Sequence, residues 1–596
     1  MVRCDRDRWA NWLGNVVIDH PERHCYPDCL PDLVTIVNDA ESHDPPKRVR
    51  ACGSHWALSD VAVSPDWIVE TNALRKTLYD VIPHALNDRT RQDLLNQSSY
   101  SYYHVEAGIT IRDLNLRLDR QLLPAADRKW APMPTDDLAE TWPHATKRWA
   151  IPTMGGASGQ TLAGAISTST HGGDHRLPPM ADMVQAIHLI APGGRQLWIE
   201  RDQGLTNPEL LQQVLPDVEP RYCTELFNAV LVSVGRMGII YALVLKVVEQ
   251  FWLEQLITAS TWKHEADGLR YPFATFDRTP PWNPPESPEP THFVEAVLPP
   301  HPRRDGQHSC YMTWRWRTAT ECPKRAQPPN LFNLLCRHRT IAPIVLVLMG
   351  LVLLALMLSL LIPVLGPPLA ALEVTALVLL LGLLLTAGQL SLGELLARAC
   401  NLANRTGQSW IIRQLTERVI RQFRPRARKC DLGYEIMDLT ETGGECYRGD
   451  ALEVAFDARV DTHVQFMQHD LFPTLAQVAA AGKTVAGYIA LRFTRKSDAL
   501  LAMQQWDTTC TIEIALLKSI NGNQEVFDAL QTAAVRHGGT VHWGQGNTLS
   551  REHVSAMYPN LPQWRAQLTA LTGHSRHHTF DNAYCYQRGL EPDITP

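Results

Sequence analysis

The sequence predicts an α+β protein of more than one domain, interrupted by a hydrophobic helical hairpin. Three observations lead there. The chain has 596 residues, more than one hydrophobic core normally serves. Short strand-like runs alternate with helical apolar spacing and turn residues on both sides of its middle. Between them lies a long stretch almost without charge, Ile341–Leu392.

The composition, 45% hydrophobic and 20% charged, is that of a folded globular protein. Net charge is -6, with 56 basic against 62 acidic residues, which leaves no electrostatic footprint for nucleic acid. Of the thirteen cysteines only Cys25 and Cys29 sit close together, and no second pair has zinc-like spacing. No metal centre is expected, and the cysteines read as free thiols in a reducing compartment. Met1 to Trp12 is charged and lacks the apolar core of a signal peptide.

In chain order, Val49–Ala51 and Trp67–Glu70 read as short strands. Thr110 heads a helix over Ile109–Leu118. Ile187–Ile190, Pro192-Gly193-Gly194 and Gln196–Ile199 read as strand, turn and strand. Val244–Val248 is a further strand. The proline-rich stretches Pro280–Pro302 and Pro323–Pro329 read as loops leading to the hairpin.

Ile341–Leu372 and Val374–Leu392 carry no charged residue. The break Pro363–Pro368 splits the region into two runs of about twenty residues, the length that crosses a ~30 Å hydrocarbon layer as a helix. A buried hairpin in a soluble domain is the competing reading, but a core helix normally keeps a polar face. A membrane hairpin is therefore expected, with Glu373 near its turn reaching the headgroups. Arg337, His338 and Arg339 before it, and Arg398 and Arg405 after it, place both ends in the cytoplasm. Beyond it, Ile411–Phe423 is an amphipathic helix, and Leu452–Phe456, Tyr488–Phe493 and Thr511–Leu516 are strands.

Two segments stand out chemically. Arg50–Asp60 is a strand running into a small-residue turn. Such a turn exposes consecutive N–H groups that can cradle a pyrophosphate, with Ser54 and Ser59 as hydroxyl donors; an ordinary strand-to-loop turn has the same composition. Thr153–Gly173 is long, small and hydroxyl-rich, so backbone can approach a ligand along it. A flexible linker shares that composition, yet Met154, Leu162 and Ile166 are apolar anchors a linker does not need.

These segments, with Tyr26-Pro27, Glu106–Ile109, Glu225–Phe227 and Val234–Ile240, resemble the FAD-binding domain of the vanillyl-alcohol oxidase family, and within it the aldonolactone and alditol oxidase branch. The resemblance implies FAD held by Cys52, Gly53, Ser54, His55 and Ser59 of the first segment. From the second it implies Gly155, Gly156, Ser158, Thr161, Gly164, Thr168, Ser169, Thr170 and His171. Gly238 and Ile240 would close on the adenine part. His55 stands where the branch often bonds the flavin covalently; a noncovalent place at the pyrophosphate is the alternative. The implied organisation is a two-subdomain FAD-binding domain at 1–255 and a substrate domain at 256–335 and 400–560. The hairpin at 340–393 interrupts that domain, and 561–596 returns to the FAD domain.

The C-terminal part adds Arg492-Phe493-Thr494, Val541–Gln545 and Phe580-Asp581-Asn582. Two positions depart from the branch: Ala490 replaces a glutamate, and Gln545 replaces a lysine. The implied activity is oxidation of a CH–OH group of a small molecule, such as a sugar lactone or polyol, by hydride transfer to flavin. Electrons would pass to oxygen or to a membrane carrier such as a quinone. His542 is the expected base, Arg492 orients an anionic substrate or supports reduced flavin, Gln545 supplies a neutral dipole, and Glu513 is a second base. The bland alternatives are a structural His542 beside Trp543 and a surface ion pair for Arg492. The rival for the whole chain is a membrane protein that keeps the FAD fold for binding or structure.

Overall fold

The computed structural model describes residues 2–78, 81–96, 99–119, 147–278, 291–318, 392–423, 428–439, 449–572 and 579–592. The expected hairpin falls outside them, since description resumes at Leu392. Among the described residues, no helix is long and apolar enough to cross a membrane.

The first sheet contains β1 (Arg3–Asp5), β2 (Arg23–Tyr26), β3 (Val49–Cys52) and β4 (Trp67–Glu70), in the order β1-β2-β4-β3. Helix α1 (Leu30–Glu41) starts with Pro31, whose missing N–H costs nothing in a first turn. Its apolar stripe Leu33, Ile36, Val37 and Ala40 is buried in the core that β2 to β4 also feed. The reading of free thiols needs correction here. Cys25 is bonded to Cys4, not near-paired with Cys29, because β1 runs antiparallel to β2 and sets Cys4 directly opposite Cys25.

The second sheet has the order β8-β7-β6-β9-β5, from β5 (Tyr100–Glu106), β6 (Val184–Ile190), β7 (Gln196–Glu200), β8 (Val218–Tyr222) and β9 (Ile239–Glu249). The turn at Pro192–Gly194 joins β6 to β7 as an antiparallel pair, with Gly193 at φ 76°. Helix α2 (Ile111–Leu118) is capped as its sequence predicts: Thr110 Oγ1 accepts from the Asp113 N–H at 3.1 Å.

The third sheet is antiparallel throughout. Its strands are β10 (Trp252–Thr261), β11 (Phe293–Leu298), β12 (Ser309–Thr318), β13 (Arg428–Leu432), β14 (Gly449–Asp457), β15 (Gly487–Thr494), β16 (Thr509–Leu517) and β17 (Thr540–Val541). Their order is β13-β10-β12-β11-β15-β16-β14-β17. Strand β11 lies inside the stretch read as a proline-rich loop. The prolines flank Phe293–Leu298 without interrupting it, so its ladder is intact.

The chain end returns to the first sheet. Arg50 is buried and donates from Nη1 to Phe580 O at 2.7 Å and to Gly235 O at 3.0 Å. Asn582 Nδ2 donates to Val63 O at 2.9 Å. One apolar core runs through residues of the second and third sheets together.

Candidate active site

Strand β3 ends at Cys52, and the next position tolerates no side chain. A Cβ on Gly53 would lie 1.9 Å from Thr161 Oγ1. Thr161 immediately precedes α3 (Leu162–Ser167), so the two small-residue segments meet face to face. His55 has a left-handed φ of 60°. Its Nε2 lies 2.8 and 2.9 Å from the two carboxylate oxygens of Glu70, at the end of β4. Glu70 also holds His24 Nε2 at 2.8 Å. Burial opposes charge on Glu70, but the two histidines keep its carboxyl below the usual range.

The bulky run after His55 has a local reason. Trp56 stacks on Trp12 with ring centroids 5.2 Å apart, and it covers Gly159, where a Cβ would lie 2.8 Å from its ring. On the far side, Gly238 has φ 154°, and a Cβ there would lie 2.5 Å from Ile190 O. Glycine is needed at that position on both grounds.

These elements wall a cleft of about 1680 Å³. All of the expected cofactor residues line it except Ser59, Ser158 and Ser169. Those three hydroxyls are used within the protein. Ser59 Oγ donates to Trp543 O at 2.8 Å, Ser169 Oγ donates to Gln504 Oε1 at 2.8 Å, and Ser158 Oγ donates to Asp438. A hydroxyl in a crowded small-residue loop bonds the nearest chain before any ligand.

The third sheet closes the other end of the cleft with a charged cluster. His542, Arg492, Gln545 and Glu513 all line it, together with Glu453 and Glu295. Glu453 and Glu513 are cross-strand partners on β14 and β16. Arg492 Nη2 lies 3.2 Å from Glu453 Oε1 and 3.0 Å from Glu513 Oε2. Gln545 Nε2 lies 3.2 Å from Glu513 Oε1. His171 spans the two segments of the site: Nδ1 is 2.7 Å from Gly172 O and Nε2 is 3.0 Å from Glu453 Oε1.

The electrostatics divide the carboxylates. Burial alone would raise Glu453, yet His171 and Arg492 hold it well below the usual carboxylate range. Burial raises Glu513, and the charge of Glu453 adds to that against the pull of Arg492. Burial likewise works against the charge on Arg492, but the carboxylates around it keep it firmly protonated. His542 is pushed down to about 4 by burial. Its Nδ1 accepts from the Gly544 N–H at 3.1 Å, so the neutral ring carries its proton on Nε2 and is a donor there. The expected role of His542 as base does not match that tautomer.

Two of these residues escaped the sequence reading. Glu453 sits between Leu452 and Val454, and Glu295 between Val294 and Ala296. A single carboxylate inside an apolar strand was the available signal. The departure at Ala490 is also partly repaired: Glu513 stands directly opposite Ala490 on the neighbouring strand.

The cleft fits FAD. Five buried polar atoms of cleft-lining residues have no hydrogen-bond partner among the described residues: Trp9 Nε1, Arg50 Nε and, in the second segment, Gln160 Oε1 on the cofactor side, and Arg492 Nε and Gln545 Oε1 at the charged end. Buried polar atoms demand partners, and a long ligand with polar groups along its length supplies them. The cofactor-side walls are glycine and small residues that leave room for backbone approach.

Residues 472–572 match the family described as D-arabinono-1,4-lactone oxidase. The chain is 25% identical over 261 residues to the D-arabinono-1,4-lactone oxidase of Yarrowia lipolytica, covering 43% of this chain and 38% of that protein. It is 24% identical over 243 residues to the enzyme of the same name from Saccharomyces cerevisiae, covering 41% and 35%. The chain thus matches well under half the length of these relatives. Among solved structures, cholesterol oxidase from B. sterolicum superposes with TM-score 0.60 at 11% identity, covering 98% of this chain and 97% of the other. A solvent-stable cholesterol oxidase gives 0.57 at 13% identity, with 99% and 98% covered. The chain therefore has the fold of these cholesterol oxidases, and its residues 472–572 resemble the D-arabinono-1,4-lactone oxidase family.

Proposed function

We propose that the protein is an FAD-dependent oxidoreductase that oxidises a CH–OH group of a small molecule. The observation that carries this reading is the meeting of a glycine-walled arm with the cluster of Glu453, Arg492, Glu513, Gln545 and His542 in one cleft. FAD, when bound, supplies the hydride acceptor. Glu513 takes the hydroxyl proton: burial raises its carboxyl above the usual range, the direction that suits a general base near neutral pH. Arg492 steers the substrate oxygen and stabilises the charge that develops on it. His542 presents Nε2–H as a neutral donor. Glu453 stays ionised and fixes Arg492 and His171 in place.

The substrate end accommodates the hydroxyl of a lactone, in keeping with the names of the relatives, or that of a polyol. Ile341–Leu392 anchors the chain as a membrane hairpin, with the folded parts on the cytoplasmic side and a membrane carrier or oxygen as acceptor. Its two charge-free runs support this, as do the exposed apolar side chains Leu402, Trp410 and Ile411 just beyond it.

The test is the purified full chain under anaerobic conditions. We expect a yellow protein whose flavin bleaches with a member of an alcohol, lactone and polyol panel. A colourless protein that takes up no FAD overturns the reading and leaves the binding or structural role. For the anchor, we expect the chain to stay with membranes in alkaline carbonate, and release into the supernatant removes the hairpin.

A further inference from the structure

The cleft does not end at the charged cluster. It continues between the third sheet and two helices, α4 (Leu392–Arg405) and α5 (Ser409–Phe423). The change of character is written along the strands, where every second residue shares a face. On β14 the face steps from Glu453 to Ala451 to Gly449. On the neighbouring β16 it steps from Glu513 to Ala515 to Leu517, and the registers pair Glu453 with Glu513, Ala451 with Ala515 and Gly449 with Leu517. On β11 it steps from Glu295 to Val297. Charge gives way to small or apolar side chains within one step on each strand.

The helices roof this lobe with Leu396, Cys400, Ile412, Thr416, Val419 and Ile420. Leu415 lines the lobe and is also 42% exposed, so the lobe reaches the surface at α5. Exposed Trp410 and Ile411 lie on the same helix beside that opening. The cleft of about 1680 Å³ takes in the cofactor arm, the charged end and this lobe together. An apolar lobe of this kind does nothing for a small polyol, whose every carbon carries a hydroxyl.

The geometry points to an amphipathic substrate: an alcohol whose CH–OH head meets Glu513 and Arg492 while an aliphatic or isoprenoid tail lies under α4 and α5. This rests on the flavin oxidoreductase reading for the head group and goes beyond it for the tail. The small residues Ala451, Ala515 and Gly449 form the slot floor, and Leu415 marks where a tail enters.

The test uses the FAD-loaded full chain in lipid nanodiscs, with the n-alkanols from butanol to dodecanol as probes. Affinity is read by titration calorimetry against empty nanodiscs. We expect binding to tighten roughly fourfold per added methylene until the lobe is filled, then to level off. Ala515→Phe, which fills the floor, should weaken decanol more than tenfold and leave butanol within about twofold. Thr416→Trp on the roof should do the same and covers the case in which the first variant does not fold. Chain-length dependence that is absent, or unchanged in a folded variant, overturns the tail site. A quinone that competes with decanol but whose presence leaves alcohol-driven flavin reduction unaffected also overturns it, since the lobe then serves the acceptor. Loss of the flavin reading is distinguishable: a protein without FAD that still shows the blocked chain-length series fails as an oxidoreductase and keeps the tail site.

Discussion

Glu453 and Glu513 face each other across neighbouring strands, and Arg492 bridges them at 3.2 and 3.0 Å. Two carboxylates so close cannot both hold a full charge in a buried site without that cation. The arrangement divides the work: Glu453, also held by His171, keeps its charge, and Glu513 keeps a raised carboxyl.

Removing the bridge should therefore be severe. Arg492→Met leaves Glu453 without the guanidinium that bridges it to Glu513, and breaking a buried pair in this way costs about 3–5 kcal/mol. We expect a loss of that order in chemical denaturation, together with flavin reduction slowed at least 100-fold. A variant of wild-type stability would show that Arg492 is not the counter-charge.

Glu513→Gln keeps the shape and removes the proton acceptor. Flavin reduction should slow by about 10²–10⁴-fold with FAD still bound. The sign of the pH effect follows from the raised carboxyl. The base is inactive while protonated, so the wild-type reduction rate climbs as pH rises through that raised value, and the variant loses this limb. A wild-type limb that persists in Glu513→Gln assigns the base elsewhere.

Much of this site was legible in the sequence, and the reasons are local. Arg492 and His542 stand out through their resemblance to the branch's arginine-bearing strand and histidine-tryptophan motif, and Glu513 because a charged residue in an apolar strand is costly and needs a purpose. Glu453 carried the same signal, yet nothing local told that β14 lies between β16 and β17, so its partners were hidden. The serines misled for the opposite reason. Ser59 and Ser169 sit in loops of the right composition, but only tertiary packing shows that Trp543 O and Gln504 take their hydroxyls. Likewise α5 was readable as amphipathic, while its role as a roof depends on which sheet face it covers.

Buried histidines predict acid sensitivity. His104 is pushed down to about 3 by burial and the neighbouring His188, and both of its ring nitrogens lack partners among the described residues. Burial takes His188 and His463 to about 4. The unfolded chain binds these protons below about pH 6.5, and the folded chain does not until the lowered values are reached. The stability they contribute is present above pH 6.5 and is lost as pH falls toward 4, by ~1.4 kcal/mol per pH unit for each group. His104→Leu should flatten the slope of urea-denaturation stability between pH 6 and 4.5 by about that amount. An unchanged slope would mean that His104 does not titrate on unfolding.

The Glu70–His55 contact makes the last prediction. Nε2 of His55 is engaged by both oxygens of Glu70, at 2.8 and 2.9 Å. A flavin bond to His55 would therefore form at Nδ1, with ionised Glu70 fixing the ring by accepting a hydrogen bond from Nε2–H. This is the logic by which a carboxylate sets the tautomer and basicity of a histidine that uses its other nitrogen. Mass spectrometry of the denatured wild-type protein should then place the flavin on the peptide that contains His55. Glu70→Gln should lower the linked fraction and His55→Ala should abolish it, both with FAD still bound before denaturation, because the glycine-walled arm is intact. Quantitative release of FAD from the denatured wild type removes the covalent bond and leaves His55 as a noncovalent wall of the cleft.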